Sequence, residues 1–498
     1  MCNPIHKSGK QGRFANRPYR EWIQFEVATA SQGRSGYAPN LDLCTERILF
    51  NDIGDRPSLR RGLQGRCCKS RYHTSGGPAH VWLLRSYAAC HGIVGPLYAR
   101  VVVLEAVGKR LALVTLDLGR VFGPSSLASL RERLAKTSGI SLLLITASHT
   151  HSGPNIVDEY PSHRPPSWET TDLDKIAGAV AEACAHLTEA RLGTGYGRAY
   201  IGYNRRRVFP DGTVSMFWTN PDKIPTSPVD PTVSVLRIDT AAGKPLAVLV
   251  NYACHPVVFG PDNLEYSADY VGVMARTVEE AVGGANGGSP LCLFLQGGDG
   301  DINPYYATTP LADGAVKKRD WTGEQLGAEA ARVATTINTV SATQPNLQFT
   351  EDMMTFAVRW DAQKFRQGML ATYGQRVYED HADLLDNDNP RRQLSVPVTT
   401  VLINRTIALV GLPGEPFVDF QINWRGRCPV RDAFFVGYAN GYLDYFPTIR
   451  AAAEGGYGGA DSDTYIAVGA GERMLDQALI RVYEMLGRLV DVPEDLKK

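Results

Sequence analysis

An α/β fold built on a mixed sheet is what this sequence predicts, and three observations lead there. From residue 86 onward, short apolar β-rich runs alternate with amphipathic stretches of helical spacing. The second half adds a long alternating stretch, Leu394 to Leu412, whose pattern around Thr399, Thr400 and Arg405 reads as antiparallel strands. The longest apolar runs, such as Leu142 to Ile145 and Leu246 to Val250, fall far short of the roughly 18–20 residues a bilayer span needs.

Strands are expected at Ala99 to Ala106, Leu111 to Asp117 and Ser141 to Ala147, with a helix at Ser125 to Lys136 between the last two. The alternation continues with a helix at Leu173 to Leu187, strands at Val233 to Thr240 and Leu246 to Ala253, a helix at Ala268 to Val282 and a strand at Leu291 to Leu295. Further helices are expected at Thr322 to Val340 and Glu472 to Leu489. The stretches Glu159 to Thr171 and Glu454 to Asp463 are rich in proline or glycine and read as loops bordering a site rather than as domain linkers. No internal repeat is visible.

With 498 residues, 44% hydrophobic and 21% charged, the composition is that of a globular, soluble chain. Lys+Arg and Asp+Glu stand at 52 each, so the whole chain offers no electrostatic argument for binding nucleic acid or an anionic membrane. That balance is uneven along the chain: residues 1–86 carry 14 basic against 6 acidic residues. This first segment has no sustained period and no apolar stretch of the kind a secretory signal requires. It reads as a poorly specified segment, either a tail or a start placed too far upstream, ahead of a folded domain at 87–498. Nine cysteines without framework spacing argue against a disulfide scaffold.

Chemistry concentrates where apolar strands end. His149 and His151 follow one strand in a turn closed by Ser152-Gly153-Pro154, and His255 ends another, ahead of Pro256, which forces the backbone to extend or turn. A catalytic zinc takes imidazole nitrogens and carboxylate oxygens from about three protein ligands and leaves a position for water. Glu415, directly after the strand Thr406 to Val410, is a third candidate, although an acid there also suits a helix N-terminus. Asp299 and Asp301, in Gly297-Gly298-Asp299-Gly300-Asp301, suit either metal ligation of a phosphatase kind or plain turn chemistry. Arg205 can clamp an oxyanion, whereas Arg206 and Arg207 read as a solvated basic turn.

Six segments in order resemble the neutral/alkaline non-lysosomal ceramidases. They are Ser148 to Pro154, Tyr203-Asn204-Arg205, Asn251 to Pro256, Gly300 to Pro304, Pro413-Gly414-Glu415 and Asn440 to Tyr445. The resemblance runs from about Gly92 to the last helix. It implies a mixed-sheet catalytic domain of the neutral ceramidase type and one zinc per chain, held by His149, His255, Glu415 and Tyr445. It also implies that His151, Arg205 and Tyr457 contact the scissile amide, and Tyr442 is the neighbour most easily confused with Tyr445. Three departures accompany it. Asn303 stands where the family carries a serine, and can donate a hydrogen bond but cannot act as a nucleophile. The chain ends at Lys498 without room for the family's immunoglobulin-like C-terminal domain, and the export signal usual in the family is not visible.

The activity implied is hydrolysis of ceramide or a related N-acyl lipid or amide to fatty acid and free amine, with His151 as proton carrier and Asn303 joining Arg205 and Tyr457 at the oxyanion. The expected partner is therefore a small-molecule or lipid N-acyl amide, met without a transmembrane segment and at most by transient contact with a membrane surface. Two rivals stay open: a catalytically silent lipid- or amide-binding protein, and a two-metal phosphoric-ester hydrolase using Asp299 and Asp301.

Overall fold

Strands whose two faces are both apolar must be covered on both sides, and that requirement sets the layering. The computed structural model describes residues 64–72, 92–158, 160, 164–283, 290–373 and 393–496. Eight strands form one mixed sheet: β1 (Gln64–Tyr72), β2 (Leu97–Ala106), β3 (Lys109–Leu116), β4 (Leu142–Ala147), β5 (Thr188–Arg198), β6 (Thr232–Thr240), β7 (Pro245–Tyr252) and β8 (Leu291–Gln296). Their spatial order is β8-β7-β6-β5-β1-β2-β3-β4. Only β7/β8 and β3/β4 run parallel. A second sheet orders β9 (Leu347–Ala357), β10 (Gln393–Ile403), β11 (Ile407–Gly411) and β12 (Asp432–Val436), the last pair parallel.

The two sheets pack face to face between helices. Val102 and Leu104 of β2, Leu249 of β7 and Leu293 of β8 meet Val401, Leu409 and Phe434 of the second sheet. The alternate residues point the other way. Val101, Val103 and Ile145 lie under α1 (Pro124–Ser138) and α2 (Ser167–Ala185), while Val248 and Phe294 lie under α3 (Asp269–Val282) and α4 (Ala315–Thr336). On the far side, α5 (Ala362–Tyr373), α6 (Val418–Arg427), α7 (Ile449–Glu454) and α8 (Ala470–Met485) supply Phe365, Phe420, Ala451 and Met474 to a core against Val396, Val410 and Phe435. The result is a four-layer α/β/β/α sandwich.

One unit recurs: a hairpin, a helix, then a strand parallel to the hairpin's second strand. It appears as β2-β3-α1-β4, as β6-β7-α3-β8 and as β10-β11-α6-β12. The recurrence is topological, without a sequence repeat. Its consequence is that the loops after β4, β7, β8, β11 and β12 all leave from C-terminal ends of parallel strands, where open α/β sheets place their ligands. Side chains stitch the sheets together at that end: Asn251 Nδ2 donates to the Leu295 and Phe435 carbonyls at 2.9 and 2.8 Å, and Thr146 Oγ1 donates to the Gly437 carbonyl at 2.7 Å.

Three features depart from the sequence reading. β5 is a glycine-rich strand with no apolar period; at Gly195 a Cβ would lie 2.8 Å from both Val333 and Ile337, so side chains are missing there because α4 and the residues after it press on the strand. α2 begins at Ser167, inside the stretch read as loop, directly after Pro165-Pro166. β1, from the segment read as poorly specified, pairs with β2 along its whole length; the rest of residues 1–86 lies outside the described residues.

Candidate active site

His149 leaves β4 in the left-handed backbone region, with φ 69°, a conformation that favours glycine and that strained site residues adopt. Tyr438, Asn440 and Asp444 share that region, at φ 51°, 61° and 50°. The turn buries His149 and lets its Nδ1–H donate to the Gly119 carbonyl at 2.6 Å. His255, after β7, donates from Nδ1 to the Asp299 and Ile302 carbonyls at 2.7 and 3.1 Å. Carbonyls only accept, so both histidines are assigned protons on Nδ1 and present bare Nε2 lone pairs.

Those lone pairs converge with Glu415. His255 Nε2 lies 3.2 Å from Glu415 Oε2, and His149 Nε2 lies 3.5 Å from Oε1. Glu415 also accepts from the Tyr442 hydroxyl at 2.5 Å. Burial pushes this carboxyl up, and the hydrogen bond from Tyr442 works against that by favouring the charged form. His149 and His255 are lowered, above all by burial. Two neutral imidazole lone pairs and a carboxylate facing one another call for a cation between them. His151 brings its Nε2 to 3.2 Å from that of His149, and the three histidines form a mainly buried group able to hold a metal ion. Because His149 Nε2 is an acceptor, this contact assigns the proton to His151 Nε2. Burial, then its two neighbouring histidines, keeps His151 well below the ordinary histidine value.

A second group faces the same point. Arg205, almost fully buried, donates from Nη1 to Asn303 Oδ1 at 3.2 Å and from Nη2 to the Gly300 carbonyl and the Tyr445 hydroxyl at 2.7 and 2.9 Å. Its Nε has no hydrogen-bond partner among the described residues. The guanidinium lies 5.4 Å and 5.1 Å from the ring centres of Tyr445 and Tyr457. Two short pairings set this register. Ile302–Pro304 runs antiparallel to Gly202–Asn204, and Glu415–Pro416 runs parallel to Tyr445–Phe446, with Glu415 directly opposite Tyr445. Tyr442 thus donates to that carboxylate, while Tyr445 stands beside it in the strand pairing and accepts from Arg205.

The expected residues His149, His151, Arg205, His255, Asn303, Glu415, Tyr445 and Tyr457 thus lie in one cluster. Asp301 turns elsewhere: it accepts from the Asn204 side chain at 2.6 Å and from the Val418 amide at 2.8 Å. Asp299 sits behind His255, on the Nδ1 edge. Glu415 comes before the start of α6, but its carboxylate points at the histidines and not at the helix amides. Arg206 corrects the reading of a solvated turn, for it is buried and holds the Ala451 and Gly455 carbonyls and Glu454, thereby anchoring the loop that carries Tyr457; Arg207 is exposed as expected. Sequence reasoning missed Gln296, Tyr438 and Trp218. Gln296 Nε2 bridges the Ser148 and Cys254 carbonyls at 2.9 and 3.0 Å, the Tyr438 ring stacks on His149 at 4.4 Å, and Trp218 packs against Tyr457 at 5.3 Å. Position at a strand end was the available signal for the first two; for Trp218 there was none.

A family model described as "Neutral/alkaline non-lysosomal ceramidase, N-terminal" matches residues 77–368, a span that holds His149, His151, Arg205, His255 and Asn303 and stops before Glu415. Relatives include neutral ceramidase of Pseudomonas aeruginosa, 27% identical over 43% of this chain and 32% of its own, and neutral ceramidase of Mycobacterium tuberculosis, 26% identical over 64% and 60%. Neutral ceramidase A of Dictyostelium discoideum is 23% identical over 48% of this chain and 36% of its own. The chain therefore spans between about a third and three fifths of the length of these relatives. The crystal structure of the Pseudomonas aeruginosa neutral ceramidase shares the fold, with TM-score 0.66 and 20% identity over 87% of this chain and 76% of that one. A ceramidase complexed with C2 gives TM-score 0.67 over the same shares. With more than half of its residues inside that match, this chain belongs to the neutral/alkaline non-lysosomal ceramidase family.

Proposed function

We propose that the chain is a zinc-dependent amidohydrolase that cleaves the N-acyl bond of ceramide or a related N-acyl lipid, adding water across it to release fatty acid and free amine. The observation that carries this reading is the convergence of two Nε2 lone pairs and the Glu415 carboxylate beside the Arg205 guanidinium. His149, His255 and Glu415 would hold one zinc per chain, with the Tyr445 hydroxyl next to the carboxylate completing the set. Zinc in such a site polarises a carbonyl and lowers the pKa of water toward roughly 7.

The remaining groups supply orientation and protons. Arg205, with an unused Nε–H and a charge held in a buried aromatic surround, meets negative charge developing on the acyl oxygen; losing one such donor typically costs about 10²–10³ in rate. Tyr457 lies against that guanidinium and narrows the space for the substrate. His151, kept neutral by burial, takes a proton from the attacking water and returns it to the leaving nitrogen, a contribution of about 10²–10⁴. Asn303 is held by Arg205 and by the Trp218 carbonyl at 3.4 Å, so its part is to fix the guanidinium, and no serine is required. Against the two-metal alternative, Asp301 is committed to Asn204 and Val418, and Asp299 faces the wrong edge of His255.

The test is elemental analysis of purified wild type beside His149→Ala and His151→Ala, with fatty-acid release from an N-acylsphingosine and from a simpler N-acyl amide. One zinc in wild type and in His151→Ala, none in His149→Ala, and turnover in wild type alone is the expected result. Absence of zinc from wild type would sink the mechanism, two metals per chain would favour the ester hydrolase, and zinc without cleavage would favour a binding protein.

A further inference from the structure

Asp299 is a fully buried carboxyl that the mechanism above leaves unused. It is the one side chain in the loop Gly297-Gly298-Asp299-Gly300, and that loop is pressed against the backbone around Glu415: a Cβ at Gly300 would run into the Glu415 carbonyl. A flexible glycine segment is thereby seated on the residue that contacts both histidines, and its single side chain turns toward them. Oδ1 accepts from the Tyr438 hydroxyl at 2.9 Å. Oδ2 lies 3.4 Å from His255 Nδ1 and has no hydrogen-bond partner among the described residues. Tyr438 in turn stacks on His149 at 4.4 Å between ring centres, with planes 23° apart.

We propose that Asp299 is a positioning residue for the metal centre, acting on both histidines at once: directly behind the Nδ1–H of His255, and through the Tyr438 hydroxyl and ring on His149. The inference rests on the zinc reading. The backbone carbonyls of Asp299 and Ile302 already take the His255 proton, so the side chain is not needed to choose the tautomer. What a carboxylate on that edge adds is basicity at the opposite nitrogen, the effect that makes outer partners of metal-bound histidines worth about 10–100-fold in metal affinity. Burying an unpartnered carboxyl oxygen costs stability, so its presence here is understandable as the cost of that function and not as a contribution to folding.

The experiment compares wild type, Asp299→Asn, Tyr438→Phe and Asp301→Asn. The zinc dissociation constant is measured by chelator competition, and the thermal midpoint is measured on the metal-free proteins. Asp299→Asn keeps the shape and an acceptor for Tyr438 but removes the carboxylate. It should weaken zinc binding by about 10–100-fold while the metal-free midpoint stays level or rises. Tyr438→Phe should weaken zinc in the same direction. Asp301→Asn, whose partners Asn204 and Val418 lie away from the histidines, should lower the midpoint and leave zinc affinity unchanged. Wild-type zinc affinity in Asp299→Asn overturns the proposal, as does a loss of midpoint without a loss of affinity, which would make Asp299 a structural residue. If wild type itself takes no zinc, the amidohydrolase reading and this one fall together; if only Asp299→Asn behaves as wild type, this one falls alone.

Discussion

Replacing Glu415 by glutamine gives a test whose two halves run in opposite directions. In the metal-free protein, Glu415 Oε2 faces the His255 Nε2 lone pair at 3.2 Å while Oε1 accepts from Tyr442 at 2.5 Å. A glutamine with its oxygen at the Oε1 position keeps the Tyr442 hydrogen bond, and its NH₂ donates to His255. One repulsive contact becomes a buried hydrogen bond, a gain of about 1 kcal/mol. Unfolding entropy of about 2.1 cal/mol/K per residue, over the roughly 400 described residues, comes to about 0.8 kcal/mol/K. The metal-free midpoint of Glu415→Gln should therefore match wild type or exceed it by roughly 1 °C. Zinc at 100 times its dissociation constant stabilises a protein that binds it only when folded by about 2.7 kcal/mol, or roughly 3 °C here. Wild type should show that gain and Glu415→Gln should not, because the amide is no ligand and its NH₂ occupies the His255 lone pair. Differential scanning calorimetry with and without zinc reads both halves. An undiminished zinc shift in Glu415→Gln would refute the ligand assignment, and a lower metal-free midpoint would refute the reasoning about lone pairs.

Further outcomes follow from the same contacts. Arg205→Lys cannot serve Asn303, Gly300 and Tyr445 with one ammonium, so turnover should fall about 10²–10³-fold with zinc content unchanged in elemental analysis. Gly195→Val pushes a side chain into Val333 and Ile337 and should cost about 1–3 kcal/mol, seen as a midpoint lower by a few degrees; an unchanged midpoint would mean that α4 is not seated on β5 as described. Asp172, on α2, is pushed up to about 6 by burial despite Lys175. The folded protein thus holds this proton more tightly than the unfolded chain, and the stabilisation is present below the unfolded value near 4 and lost as pH rises through about 6. Asp172→Asn should therefore gain stability over wild type at pH 8, by at most about 3 kcal/mol, and gain nothing at pH 4 in urea titrations.

Much of the fold was legible because strands buried on both faces must be apolar throughout, which made β2, β3, β4, β7 and β8 readable as runs. β5 was not, since α4 demands glycines where a strand signal would show apolar residues. α2 was shortened because its first turn follows Pro165-Pro166 and carries polar Ser167 and Glu169, although Glu169 is buried by hydrogen bonds from Ser126 and Tyr160 at 2.6 and 2.5 Å. Arg206 was misread because a run of three arginines looks solvated until the carbonyls of Ala451 and Gly455 are brought to it from far along the chain.

By itself the sequence determined the chemistry available at each strand end: imidazoles at His149, His151 and His255, a carboxylate at Glu415, and an amide at Asn303. It also determined the α/β class, since periodicity is a local property. Only the tertiary structure decided which nitrogen of each histidine is bare, that Tyr442 donates to Glu415 while Tyr445 accepts from Arg205, that Asp301 is spent on a loop while Asp299 lies behind His255, and that Tyr438 and Gln296 belong to the site. Those assignments depend on which backbone carbonyls meet which side chains across two sheets, and such partners are separated by tens to hundreds of residues, beyond the reach of any local pattern.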